Sequence, residues 1–187
     1  SLVEQRFGAE DPRLLDSLAT VVMAELQLRN LPQARASAER MLLIAAKTFG
    51  DQHAKVAVAR DTLAKVLYAQ GRIEEALAQY ERSRAVHEQA KDEEALAENL
   101  VGAAGCLRAL GRAGESLPLL ERAIALIKPG MGDLLSPDAQ FALAQSLWAL
   151  NKRKLRSRAL EAARLAQTGY AQAQAPGAGF EAVAGGL

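Results

Sequence analysis

A single cysteine, Cys106, is present in 187 residues, so no intrachain disulfide can form and a reducing, cytoplasmic setting is expected. Aromatic residues are few: four phenylalanines, three tyrosines and one tryptophan. That argues against a base-stacking surface or a large catalytic cavity. Charge of one sign is missing too, because 23 basic residues meet 22 acidic ones for a net charge of +1. No global field therefore draws the chain to nucleic acid or to a membrane. No apolar run reaches about 18 residues, and no basic-then-apolar signal pattern opens the chain, so membrane insertion is not expected. Metal-ligand spacing is also absent. His87-Glu88 begins like a zinc-protease motif, but Lys91 stands where the second histidine must be. His87 then reads as a partly exposed helical residue, and His53 as a capping or solvent residue between helices. Gly102, Gly105, Gly111 and Gly114 follow no strand, so they do not form a phosphate loop. No metal site, cofactor or catalytic constellation is expected.

What is present is helical. Half of the residues are apolar, alanine is met most often, and β-branched residues are scarce. Phe7-Gly8 returns as Phe49-Gly50, and Ala34 returns as Ala76, each 42 residues on. Gly71-Arg72 and Gly111-Arg112 stand 40 apart, with Asn30 and Asn151 at matching distances outside them. Glycine and asparagine tolerate the left-handed conformation that ends a helix, so these four positions are expected as helix C-caps in register. Between them the apolar residues recur at steps of three, four and seven. Asp11-Pro12 and Ser136-Pro137 each look like a capping side chain before a proline at the first helical position. The expectation is eight helices, at about 12–29, 33–48, 54–70, 73–90, 93–110, 113–128, 137–150 and 153–172. The connections within pairs are so short that the neighbours must be antiparallel.

The expected organisation is four helix hairpins at about 9–50, 51–91, 92–132 and 133–172. Residues 1–8 read as the remnant of an upstream repeat helix, with Val3 and Phe7 in its packing stripe. Residues 173–187 read as a flexible Gly/Ala-rich tail, with a short docking helix near Phe180–Val183. A bare apolar patch is expected at the N-terminal end of the array, where Leu14, Leu15, Leu18, Val21, Val22 and Leu26 crowd one helix.

Leu63-Ala-Lys-Val-Leu-Tyr-Ala-Gln-Gly-Arg-Ile-Glu-Glu-Ala-Leu-Ala-Gln-Tyr-Glu-Arg82 resembles a tetratricopeptide repeat. Ala64 and Ala76 match its small interhelix positions, Gly71 its turn and Tyr80 its large packing residue. The period near 41, with Phe49-Gly-Asp-Gln-His53 opening a unit, is similar to the longer kinesin-light-chain-like subclass. HEAT-like solenoids share the period but lack the Gly-Arg turn followed by Glu-Glu-Ala. The resemblance covers about residues 7–170 and implies an all-α, right-handed α-solenoid that binds protein or peptide without catalysis. Pro137-Asp-Ala-Gln-Phe-Ala-Leu-Ala-Gln-Ser-Leu-Trp148, with Arg156-Ser-Arg-Ala-Leu160 after it, is similar to the closing repeat of arrays attached to large bacterial serine/threonine protein kinases. That would make the chain a regulatory or targeting part of a signalling protein. None of the kinase signature motifs lies in it.

In that family the first helix of each pair lines the concave surface. Carried over by register, the inward positions are Thr20, Ala24 and Gln27; Asp61, Lys65 and Tyr68; Val101, Gly105 and Arg108; and Phe141, Gln145 and Trp148. Aromatics and arginine are what interface hot spots favour. The expected binding residues are therefore Gln27, Asp61, Lys65, Tyr68, Arg108, Phe141, Gln145 and Trp148, on one continuous surface. The asparagines with which related arrays clamp a peptide backbone or carboxylate are replaced by Asp61-Thr62, Val101-Gly102 and Phe141-Ala142. Lys152, Arg153, Lys154 and Arg156 form a candidate site for an anion or acidic partner, expected in the first turns of the last helix. A groove that senses a ligand or peptide, and self-association through the end repeats, remain as alternatives.

Overall fold

The computed structural model describes residue 8, residues 10–132 and residues 134–173. The expected remnant helix before Gly8 and the expected docking helix in the tail lie outside these residues. Among the described residues there are eight α-helices and no strand: α1 Leu15–Gln27, α2 Leu31–Phe49, α3 Ala54–Ala69, α4 Ile73–Ala90, α5 Glu93–Ala109, α6 Ala113–Leu126, α7 Leu135–Ala149 and α8 Arg156–Gln172. Short 3₁₀ turns at Pro12–Leu14 and Arg153–Leu155 precede α1 and α8. This is an all-α repeat fold.

Local chemistry accounts for the boundaries. The Asp11 carboxylate accepts from the Arg13 backbone N–H at 2.9 Å and caps the first turn. His53 caps α3 through Nδ1, which accepts from Lys55 N–H at 3.1 Å while the ring stacks on Phe49 with centroids 4.7 Å apart. Asp92 caps α5 through Ala95 N–H. Ser136 does not cap α7, because that helix already starts at Leu135 and carries Pro137 within its first turn.

The left-handed residues that end the first helix of each pair are Arg29 (φ 59°), Gly71 (φ 77°), Gly111 (φ 74°) and Asn151 (φ 47°). After them Asn30 N–H bonds Glu25 O at 2.9 Å, Arg72 N–H bonds Leu67 O at 2.9 Å, and Arg112 N–H bonds Leu107 O at 2.8 Å. Those bonds close the last helical turn and satisfy carbonyls that the helix leaves open. Asn30 is thus one residue beyond the cap assigned to it. The register of α1 moves by one: Ala19, Met23 and Leu26, rather than Thr20, Ala24 and Gln27, are the equivalents of Asp61, Lys65 and Tyr68.

The chain divides into two compact units, Ser1–Ala95 and Leu96–Leu187. In the first, Leu14, Leu15 and Leu18 pack with Met41, Ile44 and Ala45 of α2 and with Val56 and Ala59 of α3. In the second, Ala104 of α5, Leu120 of α6 and Leu143 and Leu147 of α7 share a core with Ala159, Ala162 and Ala163 of α8. The small side chains along α8 let that helix lie close to its neighbour. At Gly169, an added Cβ would stand only 3.0 Å from Pro137 Cβ.

Candidate functional site

The first helices of the pairs, α1, α3, α5 and α7, carry the positions expected to bind. With the register set by the four caps, the Asp61 position recurs as Ala19, Val101 and Phe141, and none of the four is exposed. This position faces into the hairpin. Asp61 makes the direction explicit, because its carboxylate accepts from the Ser83 hydroxyl and lies 2.8 Å from His87 Nε2, both on α4. Asp61 is therefore an interhelix contact rather than a ligand-facing residue.

His87 is 0% exposed and Ser83 is 0% exposed, which corrects the expectation of a partly exposed histidine. The His87 Nδ1 has no hydrogen-bond partner. A bare lone pair there is more tolerable than a buried, unpaired N–H, so the hydrogen sits on Nε2, and that N–H donates a hydrogen bond to the Asp61 carboxylate. The order Ser–Asp–His, with the carboxylate in the middle, joins two helices and cannot relay a proton from serine to histidine, as a nucleophile requires. Sequence reasoning missed this cluster, although the repeat alignment carried its signal. Ser83 and His87 occupy positions that are Met41 and Ala45 in α2, just as Asp61 stands for Ala19, Val101 and Phe141. Three polar residues at apolar repeat positions had to find one another.

The remaining candidates, most of them at the next two positions along the first helices, differ in exposure. In the first unit Lys65 is exposed and the Tyr68 ring is 37% exposed. In the second unit Gln145, Phe141 and Arg108 are half-buried, and the buried Arg108 Nε has no hydrogen-bond partner. Trp148 is 37% exposed, and the Arg156 guanidinium lies over its ring, 5.9 Å from the centroid. Gln27 is exposed at the end of α1, but at the repeat position of Ala69 rather than Tyr68.

The basic run does not fall where it was expected. Lys152, Arg153 and Lys154 lie in the loop and 3₁₀ turn ahead of α8, and only Arg156 is in that helix, at its first residue. All four are exposed. The loop placement keeps three of the four cations out of the helical first turn, where the helix dipole disfavours positive charge. Arg158 further along pairs with Glu121 of α6.

Two other polar groups of the second unit join its last two helices. Tyr170 on α8 donates to Asp138 Oδ1 on α7 at 2.5 Å. Burial raises the Asp138 carboxyl above its usual range, and burial together with this bond raises the Tyr170 phenol. Cys106 is 0% exposed, and burial pushes its thiol up to about 11, so it is no nucleophile at neutral pH. Among the described residues no cluster of His, Cys, Asp and Glu could hold a metal ion, and no helix is long and apolar enough to cross a membrane.

Comparison with known proteins agrees with the helical pairing. Residues 7–89 match the family model described as tetratricopeptide repeat. No curated protein matches the chain. Among solved structures, the nearly identical TPR-like repeats of a kinesin light chain candidate from Podosopora anserina superpose with a TM-score of 0.68 at 22% identity, covering 89% of this chain and 81% of that one. A variant of the same repeats gives 0.69 at 21% identity, covering 92% and 82%. BtubC (BKLC) from P. vanneervenii gives 0.71 at 16%, covering 84% of this chain and 65% of that one. At these identities the likeness is one of fold.

Proposed function

We propose that the chain is a non-catalytic scaffold that binds a protein or peptide along its first-helix faces, because residues 7–89 match the tetratricopeptide-repeat model and the remaining described helices continue the same order of helix pairs. The observation that carries this reading is Trp148. The one tryptophan of the sequence is left part-exposed at the outward repeat position, while the equivalent Tyr68 is part-exposed in the other unit. Large rigid aromatics at such positions have little to do for the hairpin core and much to offer a partner. Arg108 and the exposed Lys152, Arg153 and Lys154 flank this face in sequence, and they favour a partner with acidic groups beside an apolar anchor.

The wider setting we propose is a regulatory or targeting part of a larger bacterial signalling protein, such as a serine/threonine kinase, working in the cytoplasm. It rests on the fourth-repeat resemblance at Pro137–Trp148 and Arg156–Leu160.

The test is a binding comparison. The full chain and its Trp148→Ala and Tyr68→Ala forms are immobilised, proteins retained from the source cell are quantified, and one retained partner is purified for titration. The variants should weaken that partner about fivefold or more, roughly 1 kcal/mol, with unchanged melting curves. Variants that bind normally would remove these residues from the site.

A further inference from the structure

We infer that the outer stripe of α1, Ser17–Val21–Ala24–Leu28, is a docking seat for the closing helix of another helix pair of this repeat type. The four residues are spaced four, three and four apart, and so lie along one side of the helix. All four are exposed, Val21 by 42% and Leu28 by 76%. Their repeat equivalents, in the register set by Arg29, Gly71, Gly111 and Asn151, are Ala59, Leu63, Val66 and Gln70 on α3. On α7 they are Ala139, Leu143, Ser146 and Leu150. In both helices the first three are buried and the fourth is half-buried.

Within each unit the cover comes from the preceding closing helix. Ala59 shares a core with Met41 and Ile44 of α2, Gln70 Nε2 donates to Leu31 O at the start of α2, and Leu143 shares a core with Leu120 of α6. The bare stripe is closest in side-chain size to the α7 one, with Ser17, Ala24 and Leu28 standing for Ala139, Ser146 and Leu150, and the apolar Val21 standing for Leu143. A helix face meant for water would carry charges there, and Ser17–Val21–Ala24–Leu28 has none.

The occupant is therefore a helix with the apolar pattern of α2 or α6. The last closing helix of this chain does not fit that description. By its buried positions Ala159, Ala162, Ala163 and Ala166, α8 aligns with Ser116, Leu119, Leu120 and Ala123 of α6. It then places the exposed Gln167 where α2 has Leu42 and α6 has Ile124, both partly buried against their cores. A second copy stacked through α8 would set a polar side chain on the stripe.

The test supplies such a pair by splicing an extra copy of residues 10–51 ahead of Glu10 in the full chain, which retains the native connection into the next first helix. The melting midpoint should rise by roughly 4 °C or more, and the α1 amides should exchange more slowly. Val21→Asp with Leu28→Asp in the original copy should abolish that rise, while the same changes in the unextended chain leave its midpoint within about 1 °C, as expected for exposed sites. A rise that survives both aspartates, or no rise at all, overturns the proposal. Two further results would overturn the assigned occupant. One is a dimer of the unextended chain, seen by sedimentation, that Val21→Asp dissociates. The other is a loss of stability on deleting residues 1–7 that is absent in the Val21→Asp, Leu28→Asp background.

Discussion

His87 Nε2 and Asp61 Oδ2 stand 2.8 Å apart across the α3–α4 interface, at repeat positions that Ala45 and Ala19 hold in the first hairpin. Replacing His87 alone by leucine takes a hydrogen bond from a buried carboxylate, and replacing Asp61 alone does the same to a buried imidazole. Each single change should destabilise by about 1–3 kcal/mol. The Asp61→Leu, His87→Leu pair should cost less than the sum, with a coupling of at least about 1 kcal/mol, because no orphan remains. Urea unfolding of the four proteins measures it, and strict additivity would mean that the contact contributes nothing.

Gly169 separates a steric effect from a helix-propensity effect. Alanine in a helix interior normally gains about 1 kcal/mol over glycine. At Gly169, however, the new Cβ meets three atoms of the Pro137 ring at 3.0, 3.2 and 3.3 Å. Gly169→Ala should therefore gain nothing or lose stability, and the gain should reappear in a Pro137→Gly background, which removes all three atoms. Gly114→Ala is the contrast, since its Cβ would meet only Leu150 Cδ2 at 3.9 Å, and it should be neutral or stabilising.

Cys106 supplies a pH prediction. Its folded thiol is raised to about 11 by burial, so folding favours the protonated form. The stability linked to that preference is complete below the unfolded thiol value, about 8.5, and is lost as pH rises toward 11. Denaturation midpoints measured between pH 8 and 11 should fall more in the native chain than in Cys106→Ala. In the folded protein a thiol reagent at pH 8 should label Cys106 only at the rate of opening; rapid labelling without unfolding would contradict the burial.

Exposed and buried residues at neighbouring positions should behave differently. Trp148→Ala and Tyr68→Ala should each change unfolding stability by no more than about 0.5–1 kcal/mol, because both rings are part-exposed. Leu120→Ala, at a fully buried site, should cost about 2–5 kcal/mol. A sharp loss at Trp148 would make it a packing residue and shift the binding proposal away from α7.

Much of the fold was legible because helical repeats write themselves locally. The turn residues Gly71 and Gly111, the cap at Asp11 and the step-of-four apolar pattern each act over a few residues, and the structure places helices close to where they indicate. Asn30 misled by one position. The left-handed residue is Arg29, whose φ of 59° no propensity would have selected, and that single step moved the whole outward face of α1 away from Gln27.

Sequence alone determined the all-α class and the hairpin period, since these follow from short-range backbone preferences and helical spacing, while Lys65, Tyr68 and Trp148 were singled out only through the resemblance to the repeat family. Tertiary structure decided which side of each helix is covered, because burial depends on a neighbour many residues away. It turned Asp61 inward to Ser83 and His87, put Lys152, Arg153 and Lys154 in a loop ahead of α8, and left Val21 and Leu28 bare while their equivalents Leu63 and Gln70 are covered. In each case a residue's chemistry was visible in the chain, but its partner was supplied, or withheld, by the packing of another helix.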